Sequence, residues 1–140
     1  MKALVTGGTG FIGRRLVRQL VARYGVDAVA CLVKAAGHAA RKPRRSRRSA
    51  ARSSPIEGDL MARPVAASAP PAVDVVFHLA ANIDTDAPLE ALRVNHGGTD
   101  RLLDWLSVVS RGTRIVYVSS VAVHDRVAAP EGPIVETSPL

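Results

Sequence analysis

At 140 residues, with 47% apolar content and one cysteine, the chain is long enough for one domain with a buried core and holds no internal disulfide. Its apolar runs are far shorter than a membrane span, and Thr6-Gly7-Gly8 cuts the apolar start too early for a secretory leader. The net charge of +7 does not read as a nucleic-acid footprint: seven of the nineteen basic residues crowd into residues 41–52, and the other twelve are matched by twelve acidic ones. A lone cysteine suits a reducing, cytoplasmic compartment, and Cys31 within an apolar run reads as a small buried hydrophobe.

Lys2–Val5 is predicted as the first strand. The segment after it sets Ile12, Leu16, Val17, Leu20 and Val21 on one helical face, with Gly25 as its stop. Ala28–Val33 is an unbroken apolar run of the kind buried on both faces of a parallel sheet. Residues 35 to 55 carry Ala, Arg, Lys, Pro, Ser, Gly and His with no large apolar residue, and are predicted as a solvated, basic surface loop. A short strand at Pro55-Ile56-Glu57 ends at Gly58-Asp59-Leu60, and residues 61 to 72 read as an Ala- and Pro-rich linker.

Val73–Leu79 is predicted as a buried strand. Leu89, Leu92, Leu102, Leu103, Leu106 and Val109 recur at helical spacing, in a helix that Gly97 and Gly98 interrupt and bend. Thr113–Val118 is the last strand, and the rest is loop with Pro130, Pro133 and Pro139. Five strands alternating with helical or connecting segments, joined by right-handed crossovers, give an α/β fold: a doubly wound parallel sheet of order 3-2-1-4-5. Ligands in such sheets bind at the carboxyl ends of the strands, near the point where the order reverses. The glycine turn, Asp59, Leu79–Ala81 and Ser119-Ser120 all fall there.

Gly7, Gly10 and Gly13 have the spacing of a dinucleotide phosphate turn between a strand and an amphipathic helix. Gly7 permits the tight turn, Gly10 lets backbone approach a pyrophosphate, and Gly13 lets the helix pack on the strand. The helix N-terminus then offers N–H groups and a positive dipole end to an anion. The bland reading, glycines for packing alone, leaves the other strand-end residues unexplained. His78 has no second His, Cys or carboxylate at metal spacing beside it and reads as a core histidine; no metal is expected.

Thr6-Gly7-Gly8-Thr9-Gly10-Phe11-Ile12-Gly13, Gly58-Asp59-Leu60, His78-Leu79-Ala80-Ala81, Asn95-His-Gly97-Gly98-Thr99 and Val118-Ser119-Ser120 occur in this order. Together they resemble the amino-terminal half of an extended short-chain dehydrogenase/reductase, of the NAD-dependent epimerase/dehydratase family. The likeness spans residues 1 to 125 apart from the basic segment, and implies a Rossmann-type sheet cut off after about five strands, an incomplete NAD(P)-binding domain over 1–140. It implies that Gly7, Gly10 and Gly13 form the pyrophosphate turn with the Phe11 and Ile12 backbone close by. Asp59 would bond the adenine amino group with Leu60 against the ring, and Leu79, Ala80 and Ala81 would sit by the adenosine ribose. Val118 and Ser119 fall among the cofactor positions, with Ser119 at the nicotinamide. Ser120 would hydrogen-bond the reacting substrate oxygen, and Asn95 would order the active site from within its helix.

NAD-binding folds usually place an acidic residue at the end of the second strand for the ribose hydroxyls. Here Val33 stands there and Lys34 follows, which favours NADP over NAD; a plain solvated lysine is the competing reading. The family's Tyr-x-x-x-Lys base is not in the chain: Tyr24 is followed at that spacing by Ala28 and Tyr117 by Val121, and the lysines are Lys2, Lys34 and Lys42. The chain therefore reads as the first half of an oxidoreductase, epimerase or dehydratase acting by hydride transfer at a carbinol or carbonyl carbon of a small molecule, inactive alone. Leu32-Val33-Lys34 and residues 82–99 also resemble the thioester- or fatty-acyl-reductase branch. A non-catalytic dinucleotide sensor or scaffold is the alternative from another class. Substrate and oligomeric state are not legible.

Overall fold

The computed structural model describes residues 1–34, 53–67, 72–110 and 112–120. The expected basic loop over 35–55 lies outside them except for its last three residues, as do the three prolines after residue 120. Five strands form one parallel sheet: β1 (Ala3–Thr6), β2 (Val29–Val33), β3 (Ser54–Glu57), β4 (Val75–His78) and β5 (Arg114–Tyr117), in the order β3-β2-β1-β4-β5. This is the predicted topology, with strand ends moved by one or two residues. The helices are α1 (Gly13–Tyr24), α2 (Pro88–Leu92) and α3 (Gly98–Val109). Among the described residues no helix is long and apolar enough to cross a membrane.

Strand alternation divides the core in two. Ala3, Val5, Val29, Cys31 and Val75 face one way and pack with Val17 and Leu20 of α1. Leu4, Ala30, Leu32, Ile56 and Val76 face the other way and pack with Leu102, Trp105 and Leu106 of α3. Burial on both faces is why β1, β2 and β4 read as continuous apolar runs. Cys31 is buried as expected, and burial raises its thiol pKa, with a hydrogen bond to Ser53 opposing. The helical face predicted for α1 holds at Val17 and Leu20, but Ile12 is exposed. At position 13 the helix start lies so close to Gly7 and Gly8 that no side chain fits there.

Two further segments differ from expectation. Residues 61–67 are not a plain linker. Gly58 bridges to Ala66, the Asp59 N–H donates to the Val65 carbonyl at 2.8 Å, and Val65 and Ala66 enter the core beside α3. Small, apolar residues there serve packing against the sheet, a role that composition alone does not separate from a flexible connection. At Gly97 and Gly98 the chain stays helical, with φ of −65° and −69°, and a π-helical stretch over Arg93–Gly97 joins α2 to α3. Gly98 packs closely on Leu60, whose Cβ would lie 3.3 Å from an added Cβ.

The register aligns the strand ends. Thr6 pairs with Leu32 and with His78, Val33 with Glu57, and His78 with Tyr117. Gly7, Lys34, Gly58-Asp59, Leu79 and Val118 therefore leave the sheet along a single edge.

Candidate functional site

The glycine turn begins at Gly7, whose φ of +69° is a left-handed value that glycine adopts without strain. The turn is closed by the Gly10 N–H donating to the Gly7 carbonyl at 2.9 Å, and α1 follows with the Arg14 N–H donating to the Gly10 carbonyl at 3.1 Å. An added Cβ at Gly7 would lie 2.7 Å from the Ala80 nitrogen and the Leu79 carbonyl carbon. The turn is thus pressed onto the segment leaving β4. At Gly13 an added Cβ would drive into the Gly7 carbonyl, with the Gly7 carbonyl carbon and Gly8 Cα both 2.8 Å away. Gly10 differs: its added Cβ would meet the Gly7 carbonyl oxygen at 3.2 Å and nothing else described within 4 Å. Its open side lies beside a helix start with no acidic residue in its first turn, a setting that favours an anion. Phe11 and Ile12 are exposed at this rim, and the Arg15 guanidinium lies 4.4 Å over the Phe11 ring.

At the ends of β2 and β3, Lys34 Nζ lies 2.8 Å from Asp59 Oδ2. Asp59 Oδ1 also accepts from the Met61 N–H at 2.9 Å. The Lys34 hydrogen bond first, and the Met61 bond second, hold the Asp59 carboxyl below the usual carboxylate range. The lysine expected at the ribose and the aspartate expected at the adenine are therefore partners. A carboxylate does stand near the place where its absence from β2 was the argument for a 2′-phosphate. An ammonium has three donors, and one bond to Asp59 leaves two for another anion.

On the other side of β1, the Leu79 N–H donates to the Thr6 carbonyl at 3.3 Å and the Ala80 N–H to Thr6 Oγ1 at 3.2 Å. Leu79 and Ala80 are half-buried and Ala81 is exposed. Asn95 reaches this loop from the π-helical stretch. Its Oδ1 accepts from the Asn82 N–H at 2.7 Å and its Nδ2 donates to the Asn82 carbonyl at 2.9 Å. The two bonds clamp the Asn82 backbone to Asn95. Val118 continues from β5, its N–H donating to the His78 carbonyl at 3.1 Å, and Ser119 and Ser120 are exposed beyond it.

The structure thus joins the glycine turn to Leu79-Ala80, Lys34 to Asp59, and Asn95 to the loop after β4. His78 is a buried histidine with both ring nitrogens hydrogen-bonded, as its reading as a core residue requires. Sequence reasoning passed over Thr6, Asn82 and Thr99. Their signal was position: each adjoins a residue already singled out or lies one helical turn from one. Among the described residues no group of three His, Cys, Asp or Glu side chains is placed to hold a metal ion.

A family model described as male sterility protein, an NAD-binding family, matches residues 5–132. Among solved structures, the chain is similar to a candidate epimerase from Burkholderia cenocepacia J2315, at 30% identity and a TM-score of 0.74 over 97% of this chain and 42% of that one. It is also similar to the terminal R domain from the myxalamid PKS-NRPS biosynthetic pathway, at 26% identity and a TM-score of 0.73 over 99% of this chain and 39% of that one. A UDP-galactose 4-epimerase matches at 28% identity and a TM-score of 0.63, over 88% of this chain and 39% of that one. The chain spans from 39% to 42% of the length of these three proteins.

Proposed function

The chain belongs to the NAD-binding male sterility protein family, and from that premise we propose that it binds NADP in preference to NAD as the cofactor-holding part of an oxidoreductase, epimerase or dehydratase. The observation that carries this reading is the open side of Gly10. It sits where the strand order reverses between β1 and β4, between a helix start and the clamped loop after β4. When bound, the nicotinamide group supplies hydride transfer at a carbinol or carbonyl carbon. The chain's own residues bind and orient. The glycine turn takes the pyrophosphate against the helix dipole. Asp59 accepts from the adenine amino group with Leu60 against the ring, and Ala80 and Ala81 leave room for the ribose. Ser119 lines the nicotinamide side, and Ser120 donates to the substrate oxygen. Lys34 meets the 2′-phosphate while keeping one bond to Asp59.

A second reading within the same chemistry is the thioester- or fatty-acyl-reductase branch. The likeness to the R domain, which extends over 99% of this chain, supports it.

Calorimetric titration with NADPH and NADH tests the proposal. Lys34→Ala is expected to weaken NADPH by about tenfold, roughly 1.4 kcal/mol, the lower end for a charge-assisted contact. The lower end applies because the lysine side chain is 77% exposed and solvent-screened. NADH affinity should fall less, since it carries no 2′-phosphate and loses only the support that Lys34 gives Asp59. An unchanged NADPH-to-NADH ratio removes Lys34 from the cofactor assignment.

A further inference from the structure

The imidazole of His78 lies between two halves of the site. Its Nδ1 is 2.6 Å from Thr6 Oγ1, and its Nε2 is 2.9 Å from Thr99 Oγ1. Those distances do not say which nitrogen carries the hydrogen, but the neighbours do. Thr99 Oγ1 gives its single hydrogen to the Asn95 carbonyl at 2.6 Å, so towards His78 it accepts. Nε2 is therefore the N–H. In the neutral ring Nδ1 is then an acceptor, and Thr6 Oγ1 donates to it while itself accepting from the Ala80 N–H at 3.2 Å.

The result is one directed chain of hydrogen bonds. It runs from the Ala80 N–H to Thr6, to His78, to Thr99 and to the Asn95 carbonyl. One end is the backbone on which the glycine turn rests. The other is the residue whose side chain clamps Asn82. Both ends hold the same loop, residues 79–82.

We propose that His78, as the neutral Nε2–H tautomer, is a positioning residue for the dinucleotide site, locking loop 79–82 between β1 and Asn95, and that protonating its ring releases the lock. This rests on the dinucleotide reading above. Protonation puts a second N–H on Nδ1. Thr6 Oγ1 can still accept from both the ring and Ala80, but its own hydrogen loses its acceptor. Thr6 is 1% exposed, so water does not replace that acceptor. Turning the Thr6 side chain towards another acceptor takes Oγ1 off the Ala80 N–H, and Ala80 is the floor of the glycine turn.

The groups facing the ring are Thr6 from β1, Thr99 from α3 and Tyr117 from β5, whose ring centroid is 5.5 Å away. Tyr117 is the titratable member of that set. Burial holds the imidazole below its ordinary pKa, so the neutral form is the one present near neutral pH. The unfolded chain then binds the proton more readily than the folded one. Stability is complete above the ordinary imidazole pKa of about 6.5 and is lost as pH falls below it towards the folded value.

The test uses the whole 140-residue chain in two measurements. Nitrogen-15 NMR reads the tautomer of His78 without any cofactor. Calorimetry with NADPH across a series from about pH 7.5 down to about pH 4.5, extended well below the ordinary imidazole pKa because burial lowers the ring's own, reads the coupling in the wild type, His78→Asn and His78→Gln. Asparagine places an oxygen near the Nδ1 position and keeps the arm to Thr6 and Ala80. Glutamine places a nitrogen near the Nε2 position and keeps the arm to Thr99. Neither titrates.

Expected are an Nε2–H ring, a wild-type affinity that falls as the pH drops below the ordinary imidazole range, and a flat profile in both variants, with glutamine about tenfold weaker throughout. An Nδ1–H ring at neutral pH overturns the proposal. So does a pH dependence that the asparagine variant shares with the wild type. If either variant does not fold, the wild-type profile and the tautomer decide. NADPH failing to bind the wild type at any pH of the series, with the tautomer as assigned, overturns the dinucleotide reading and this inference with it.

Discussion

Gly13→Ala is expected to lower the unfolding free energy by about 3 kcal/mol or more, the upper range for overpacking into a closely packed region. The added methyl meets main chain, not the movable end of a side chain. It would drive into the Gly7 carbonyl, with Gly8 Cα only 2.8 Å away. That carbonyl is not free to retreat, because it accepts the Gly10 N–H at 2.9 Å and belongs to a residue at φ +69° pressed against Ala80. The remaining relief is to lift the start of α1 off β1. This opens the contact of Val17 and Leu20 with Ala3, Val5 and Cys31, half of the core. A domain of this size holds only about 5–15 kcal/mol of stability, so the loss is a large fraction of the total. Urea unfolding followed by circular dichroism measures it as a lowered midpoint at constant slope. A midpoint equal to wild type contradicts the close approach on which the turn is built.

How far the sequence alone led depended on what each signal encodes. Topology was legible because burial on both faces leaves long apolar runs, as in Ala28–Val33 and Val73–Leu79, and because strands separated by crossovers have few ways to pair. The glycine turn was legible because its geometry excludes other residues at fixed spacing. Segment 61–67 was not: Val65 and Ala66 are core residues in a stretch whose Ala and Pro content is that of a connection, and their burial comes from the core cluster they share with Trp105 rather than from local periodicity. Leu89 and Leu92 lie in a helix, as their spacing predicted, but are exposed, since helical spacing of apolar residues does not say what they face. The pairing of Lys34 with Asp59 was also hidden. It joins residues 25 apart in sequence, and the parallel register of β2 with β3 alone brings them together. Thr6, His78, Thr99 and Asn95 were illegible as a set for the same reason: β1, β4, α3 and the π-helical stretch each contribute one, and only the direction of each hydrogen bond reveals the order.

Gly10→Val is the second substitution of large expected effect, and its signature is the reverse of the first. An added Cβ meets the Gly7 carbonyl oxygen at 3.2 Å and no other described atom within 4 Å, a far milder contact than the one at Gly13. That held carbonyl must still give by a few tenths of an ångström, so the unfolding midpoint should fall, but by much less than for Gly13→Ala. The space that valine fills is the space beside the turn and the start of α1, where a pyrophosphate takes backbone N–H groups and the favourable helix dipole. Branched methyl groups there hold the anion away from those donors, and a charge-assisted bond stretched beyond hydrogen-bonding distance contributes little. NADPH affinity is expected to fall by about 100-fold or more, roughly 2.8 kcal/mol, and NADH affinity should fall by the same factor because both share the pyrophosphate. Equal losses for the two cofactors distinguish this substitution from Lys34→Ala, which separates them. Calorimetry on a folded Gly10→Val protein decides the matter. Wild-type affinity in that protein would place the pyrophosphate elsewhere, and the reading of this turn as a phosphate cradle would fall.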